Sequence, residues 1–394
     1  MDPESGMKSA GLGPTIESMT GDGYFDCAAS VPPYPEALRR FEEVSAQHYA
    51  NPSSTHGAGR RSRDVLERAR EAFLARTGYS DGRLILTSGA TEANNLVLRG
   101  VMERHPKGRL LLAADAHPSA GFTRDHFPKA TDVLETGPDG RISAELLARR
   151  ITKKTVLVSL LHANNETGVI QDLRALGAVC AQRGVALHVD GVQALGRIPV
   201  TLSEFPFSYY TFSAHKFGGV RGVGGVLLRD RDLEAQIRGG GQEDGLRGGT
   251  ENVAGLAAAV VALDLSTRAL GEEAPRLRGL ARSLGEDLKA AFPDAILNSD
   301  PDAGLPGLVS ISFPNLIGEE IVVEMDLRGY EISAGSACGS GRKEPSRPVL
   351  AMGRTRAQAL GTVRISMGRF TTSDAVRGLA AALKQVVEKQ KALA

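Results

Sequence analysis

Residues 185–193 read Val185-Ala186-Leu187-His188-Val189-Asp190-Gly191-Val192-Gln193, and residues 207–219 read Phe207-Ser208-Tyr209-Tyr210-Thr211-Phe212-Ser213-Ala214-His215-Lys216-Phe217-Gly218-Gly219. Each begins with a short apolar run, Val185–Val189 or Phe207–Phe212; the first stops at Asp190-Gly191, the second at Ser213, with Lys216 and the Gly218-Gly219 pair just beyond. Runs of that length, rich in β-branched and aromatic residues, read as buried strands that end in loops. The texture recurs at Arg83–Thr87, Arg109–Ala113, Thr155–Leu161 and Val223–Leu228, with helical patterns such as Thr91–Glu103 and Asp172–Arg183 between. Strand, helix, strand at this spacing gives βαβ units and an α/β fold, a mostly parallel central sheet covered by helices. Ligands of such sheets collect at the carboxyl ends of the strands.

Further along, the texture changes. Glu251–Leu270 is an apolar, Ala-rich helix, and Glu272–Ala291 is a charged amphipathic stretch. Strands are expected at Leu308–Phe313, Tyr330–Ser333 and Thr362–Met367, with a helix near Gly318–Arg328. Val376, Leu379, Leu383, Val386 and Val387 fall on one face of a last helix. The reading is a large domain over 24–270 and a smaller α+β domain over 271–394. Residues 1–23, rich in Gly, Ser and Pro, read as a disordered extension, with Met7 as an alternative start and the residues before it an added scar.

Composition narrows the function. Among 394 residues, 47 Lys and Arg against 46 Asp and Glu leave +1, so no basic footprint for nucleic acid or acidic lipid exists. Three cysteines with no CxxC spacing exclude a disulfide scaffold and a closed zinc site, and point to a reducing compartment. No signal peptide is apparent, and apolar runs such as Leu256–Leu263 are too short for a bilayer; a cytoplasmic location is expected.

The strand ends carry the chemistry. Ser88-Gly89-Ala90-Thr91-Glu92 opens a helix after its strand. Free backbone N–H groups and the helix dipole there suit a phosphate, although Thr91 also reads as a plain N-cap. Asp115-Ala116-His117 and His162-Ala163-Asn164-Asn165-Glu166-Thr167-Gly168 follow the next strands, and both are also ordinary turn chemistry. Asp190 closes a very apolar strand, either as a helix cap or as the partner of a ligand cation such as a protonated pyridine nitrogen. Lys216, between small residues and glycines, can be desolvated and form an imine. An Asp at one strand end and a Lys at the next is what a pyridoxal phosphate enzyme requires.

The order of motifs resembles the NifS-type cysteine desulfurases, which belong to the class V aminotransferase family of fold-type I pyridoxal phosphate enzymes. The matching segments are YFDCAAS (24–30), NPSSTHGAGR (51–60), SGATEANN (88–95), HANNETGVIQD (162–172), HVDGVQALG (188–196), SAHKFGG (213–219), RGGTENV (247–253), SAGSACGSGRKEPS (333–346) and VRISMGRFTT (363–372). The resemblance implies that Lys216 forms the Schiff base, Asp190 pairs with the pyridinium nitrogen and Gln193 bonds the ring's phenolic oxygen. His117 would stack on the ring and shuttle protons. Thr91, Ser213 and His215 would hold the cofactor's phosphate, Ala90 and Asn165 would also contact the cofactor, and Thr250 would reach the phosphate of a neighbouring subunit, making a homodimer. Asn165 and Arg364 would face the substrate, the Arg364 fork clamping its carboxylate.

Cys338, in Ser336-Ala337-Cys338-Gly339-Ser340-Gly341 and close to Arg342 and Lys343, is implied as the catalytic thiol. It would take the sulfur of L-cysteine as a persulfide, release alanine, and pass the sulfur to an acceptor protein such as an iron–sulfur scaffold or a thiolation enzyme. Cys180 reads as packing, and Cys27 as an accessory near the site entrance. A selenocysteine lyase shares these residues. A catalytically silent scaffold would show damage at Lys216, Asp190, His117 or Cys338, and none is present.

Overall fold

The computed structural model describes residues 23–229, 231–335 and 344–393. Cys338 lies outside the described residues. The strands of the first sheet are β1 Arg83–Thr87, β2 Arg109–Ala113, β3 Thr131–Leu134, β4 Thr155–Leu161, β5 Ala186–Asp190, β6 Tyr209–Ser213 and β7 Gly224–Leu228. They lie in the order β1-β7-β6-β5-β4-β2-β3. β3, β2, β4, β5 and β6 pair in parallel, and β7 runs antiparallel to both β6 and β1. This is the α/β arrangement expected.

Both faces of this sheet are covered, as parallel sheets require. Alternation assigns the side chains. Leu111, Val158, Leu160, Tyr210 and Phe212 enter one core. Their neighbours Leu110, Leu112, Leu157, Tyr209 and Val226 enter the other. Helices α1 Pro35–Gln47, α2 Gly57–Arg76, α3 Ala90–Arg104, α4 Pro118–Gly121, α5 Thr123–His126, α6 Ala144–Arg150 and α7 Leu173–Arg183 belong to this part of the chain.

Helix α8, Val253–Ala291, is one uninterrupted element with Pro275 inside it. The expected boundary at 270/271 therefore falls within a helix. Its first residues, such as Leu256 and Leu263, pack in a core of the large sheet, and Ala281, Leu284 and Leu288 pack in the core of the second sheet. The helix is long and apolar enough to cross a membrane by length and composition, which corrects the expectation drawn from its short apolar run. More than half of its most apolar window, 56%, is buried inside the fold, which is how a core helix of a globular protein behaves.

The second sheet has the order β10-β11-β9-β8, with β8 Ile296–Leu297, β9 Leu308–Ser312, β10 Ser333–Ala334 and β11 Thr362–Ser366, all antiparallel. Around it lie α9 Gly318–Asp326, α10 Arg347–Ala351, α11 Arg356–Leu360 and α12 Ser373–Leu393. The strand expected at Tyr330–Ser333 is instead Ser333–Ala334, two residues that share only Ser333 with that span. Residues 24–26 join this sheet: Tyr24 bridges Glu331 and Asp26 bridges Ser366. Phe25, fully buried, belongs to the core that Ile311, Phe313 and Leu383 form.

Phe73 of α2 is fully buried, its ring centroid 4.4 Å from that of Phe212 on β6. Phe73→Ala is expected to cost about 3–5 kcal/mol. Urea unfolding followed by far-ultraviolet circular dichroism checks this; a midpoint equal to wild type would contradict the packing described.

Candidate active site

Asp190 is the last residue of β5 and 5% exposed. Its Oδ2 accepts from Asn94 Nδ2 at 2.8 Å, and its Oδ1 accepts from the Val192 amide at 3.2 Å. Asn94 is itself fixed: Thr211 Oγ1 on β6 donates to its Oδ1 at 2.7 Å, and its Nδ2 also reaches Ser119 Oγ at 2.8 Å. Ser119 Oγ lies 2.8 Å from His117 Nδ1, which also accepts the Ser119 amide. A single network thus joins the end of β5, the middle of β6 and the first turn of α4, which follows β2. Burial and the nearby Lys216 lower the His117 pKa, while Asp190 opposes that shift.

Lys216 closes a 3-10 turn, Ala214–Lys216, directly after β6. Its Nζ donates to the carbonyls of Ala28 and Ala29, both at 2.8 Å. Gln193 Nε2 donates to the same Ala28 carbonyl at 2.8 Å, and its Oε1 accepts from Arg197 Nη1. Burial, then Arg364 and Arg197, push the Lys216 ammonium down to about 8 against the pull of Asp26 and Asp190. An amine that loses its proton near neutrality is the form that attacks an aldehyde.

Thr87 ends β1, and Gly89, not Thr91, is the N-cap of α3, so the plain-cap reading of Thr91 does not apply. Ala90 is the first helical residue and Thr91 is exposed. A Cβ at Gly224 of β7 would stand 2.5 Å from Gly89 Cα, so the two backbones meet here without side chains. Ser213, buried, ends β6 opposite Gly224, and a Cβ at Gly89 would meet its Oγ at 3.8 Å. His215 Nδ1 lies 3.1 Å from Ser30 Oγ, and burial lowers its pKa to about 4. His215 borders a cleft of about 600 Å³ with Tyr24, Ser30 and Arg221. Lys216 borders a separate cavity of about 80 Å³ with Cys27 and Arg197. Thr250 is exposed.

Arg364 lies mid-strand on β11 and is 4% exposed. Its Nη2 donates to Asp26 Oδ1 at 2.6 Å and its Nη1 to the Asn165 carbonyl at 3.0 Å. Its Nε is buried without a partner among the described residues. Beside it, burial raises Glu166 to about 7 even though Ser346 Oγ donates to it at 2.6 Å.

Asn94 and Asp26 escaped the sequence reading. Asn94 had a signal: with Val97, Leu98 and Val101 it lies on the apolar stripe of α3, where an amide must find buried partners. The expectation for Cys27 is corrected. It is 3% exposed, and burial raises its thiol to about 11, so it is packed rather than placed at an entrance. Cys180 is likewise buried and raised to about 12.

The donor set fits pyridoxal phosphate. A buried amine of lowered pKa, a buried carboxylate at the neighbouring strand end and an orphan Arg364 N–H supply what an aldehyde, a pyridinium and a substrate carboxylate need. Residues 23–379 match the class-V aminotransferase family model. The chain is 32% identical to a protein named cysteine desulfurase IscS from Dictyoglomus turgidum, over 95% of this chain and 97% of the relative. A solved NifS-like protein superposes with a TM-score of 0.85 at 30% identity, covering 93% of this chain and 99% of the other. SspA in complex with cysteine superposes with a TM-score of 0.74 at 26% identity, covering 89% and 100%. The chain therefore belongs to the class-V aminotransferases, enzymes that work with pyridoxal phosphate, and within them to the cysteine desulfurase group.

Proposed function

We propose that this chain removes the sulfur of L-cysteine, releases L-alanine, and leaves the sulfur on Cys338 for an acceptor protein. The observation that carries the reading is the pair Asp190 and Lys216 at adjacent strand ends, the carboxylate fixed by Asn94 and the amine held by two carbonyls. When bound, the cofactor would supply an electron sink for the substrate's α-carbon. Asp190 would pair with its ring cation, Ala90, Thr91, Ser213 and His215 would hold its phosphate end, and Gln193 would bond its phenolic oxygen. Arg364, already oriented by Asp26 and the Asn165 carbonyl, offers its buried Nε edge to the substrate carboxylate, with Asn165 beside it.

Lys216 is the proton carrier. Its lowered pKa leaves free amine available near neutral pH to accept the α-proton and return it nearby, and His117, kept neutral by burial, serves the same relay. The Cys338 thiolate attacks the substrate sulfur; an S–S bond forms, the Cβ–S bond breaks, and the electrons left on carbon take a proton. The active unit in this reading is a homodimer in which Thr250 serves the partner's phosphate. The exposure of Thr250 supports that.

Cys338→Ser is expected to cut alanine release from L-cysteine at least about a hundredfold while cofactor uptake stays at the wild-type level. Chromatographic alanine assays with and without reductant measure this, and wild-type sulfur delivery by the variant would sink the reading. Unaltered protein that releases alanine from L-selenocysteine and none from L-cysteine would instead mark a selenocysteine lyase.

Only neutral Lys216 can capture an aldehyde, so the uptake rate of pyridoxal phosphate by cofactor-free protein should rise with pH through about 8. The Arg364 cation disfavours the ammonium, so Arg364→Gln should move that inflection to higher pH. Stopped-flow absorbance resolves it; a pH-independent rate in the wild type, or a shift to lower pH in the variant, contradicts the electrostatics.

A further inference from the structure

Residues 239–250 read GGGQEDGLRGGT, half of them glycine, yet beside an exposed Arg83–Asp244 pair two less exposed contacts fix the segment, one to β1 and one to α3. At the first, Glu243 is 6% exposed and takes a left-handed φ of 51°. Arg70 grips it with Nη1 at 2.9 Å and Nη2 at 2.6 Å, and the Leu86 amide of β1 donates to its Oε2 at 2.9 Å. A non-glycine residue holds that conformation only where its surroundings over-determine it. At the second point, Arg247 Nε donates to Glu92 Oε1 at 2.8 Å, and the Ser88 amide donates to Glu92 Oε2 at 2.8 Å. The Glu92 carboxylate thus stands between the turn at the mouth of α3 and the arm that ends in Thr250.

That placement poses an electrostatic problem. The first turn of α3 attracts anions, and a phosphate bound there would meet a carboxylate already in place. Arg247 cancels the carboxylate's charge and leaves its hydrogen bond to Ser88 intact. Burial would raise the Glu92 pKa, but the Arg247 and Ser88 hydrogen bonds outweigh it and keep Glu92 below its ordinary value, so the pair is ionised at neutral pH.

We infer that Glu92 and Arg247 are positioning residues for the cofactor's phosphate: Glu92 sets the turn through the Ser88 amide, and Arg247 neutralises Glu92 while tying the Thr250 arm to the same turn. The inference rests on the reading of Ser88–Thr91 as the phosphate turn. It adds that the two elements serving phosphates are built as one unit, joined by one ion pair.

The test compares pyridoxal phosphate with pyridoxal, which lacks the phosphate, on the full chain stripped of cofactor. Equilibrium dialysis and the absorbance of the lysine-bound cofactor supply the two affinities. Arg247→Ala should weaken pyridoxal phosphate at least about tenfold and leave pyridoxal within about twofold. Adding Glu92→Ala should restore part of the loss, because the uncompensated carboxylate is gone. Arg247→Lys, which keeps charge but not the fork, should fall between, and it stands in if Arg247→Ala does not fold. Equal losses for both ligands would mean a merely structural pair, and no loss for pyridoxal phosphate would mean no role; either overturns the inference. Thr91→Ala separates the underlying reading. If it leaves the preference for the phosphorylated ligand untouched, the turn does not hold the phosphate and both ideas fall. If it lowers that preference while the Arg247 variants do not, only the inference falls.

Discussion

The hydrogen bond from Asn94 to Asp190 is the constraint on which the site hangs. A carboxylate at the end of a parallel strand, almost wholly removed from water, is tolerated only with partners. Asn94 provides one and in doing so uses both ends of its amide, the oxygen on Thr211 and the nitrogen on Asp190 and Ser119. Helix α3 is thereby registered against β5, β6 and the short helix α4 at once. His117 inherits its position through Ser119, and Lys216 follows β6 by three residues. A rotation of the Asn94 amide would exchange donor for acceptor along the network, so the geometry specifies its own orientation.

The electrostatics around Lys216 complement that rigidity. Its recorded acceptors are neutral carbonyls, and its charged neighbours include two guanidiniums, whereas a structural lysine would be met by a carboxylate. Of the two carboxylates that favour the ammonium, Asp26 is bound to Arg364 and Asp190 to Asn94. Both acids are thus committed elsewhere, and the amine is left under-neutralised. The result is an ordinary side chain whose proton affinity is set by where other charges have been directed.

Much of this was legible in the sequence, for identifiable reasons. The apolar runs of β2, β4, β5 and β6 are long enough and bounded sharply enough that their ends, and so Asp190, Ser213 and Lys216, could be placed. Buried strands announce themselves by composition, and a lysine beside one stands out. What stayed hidden was long-range pairing. Nothing local to Asp26 distinguishes it from a turn aspartate, because its role depends on Arg364, 338 residues away. The continuity of α8 was also hidden, since a change of texture from apolar to charged reads as a boundary. Here it records one helix passing from a buried environment to a half-exposed one. Glu243 was invisible because a glycine-rich context suggests a loop free of anchors.

The pairing of residues 24–26 with the second sheet bears on how the molecule is assembled. Phe25 fills a slot in a core otherwise made from residues 277 onward, and Ser366 hydrogen-bonds back to it. The chain's early residues therefore wait through the synthesis of nearly everything else before their partners exist. The second sheet cannot close its core from the carboxyl-terminal part of the chain alone. Its contacts are as non-local as this chain allows, and contacts of that kind form late and slowly. The seam through Tyr24, Phe25 and Asp26 ties the first part of the chain to its last strand, so the pairing of Asp26 with Arg364 becomes one of the last events in the folding of the nascent protein.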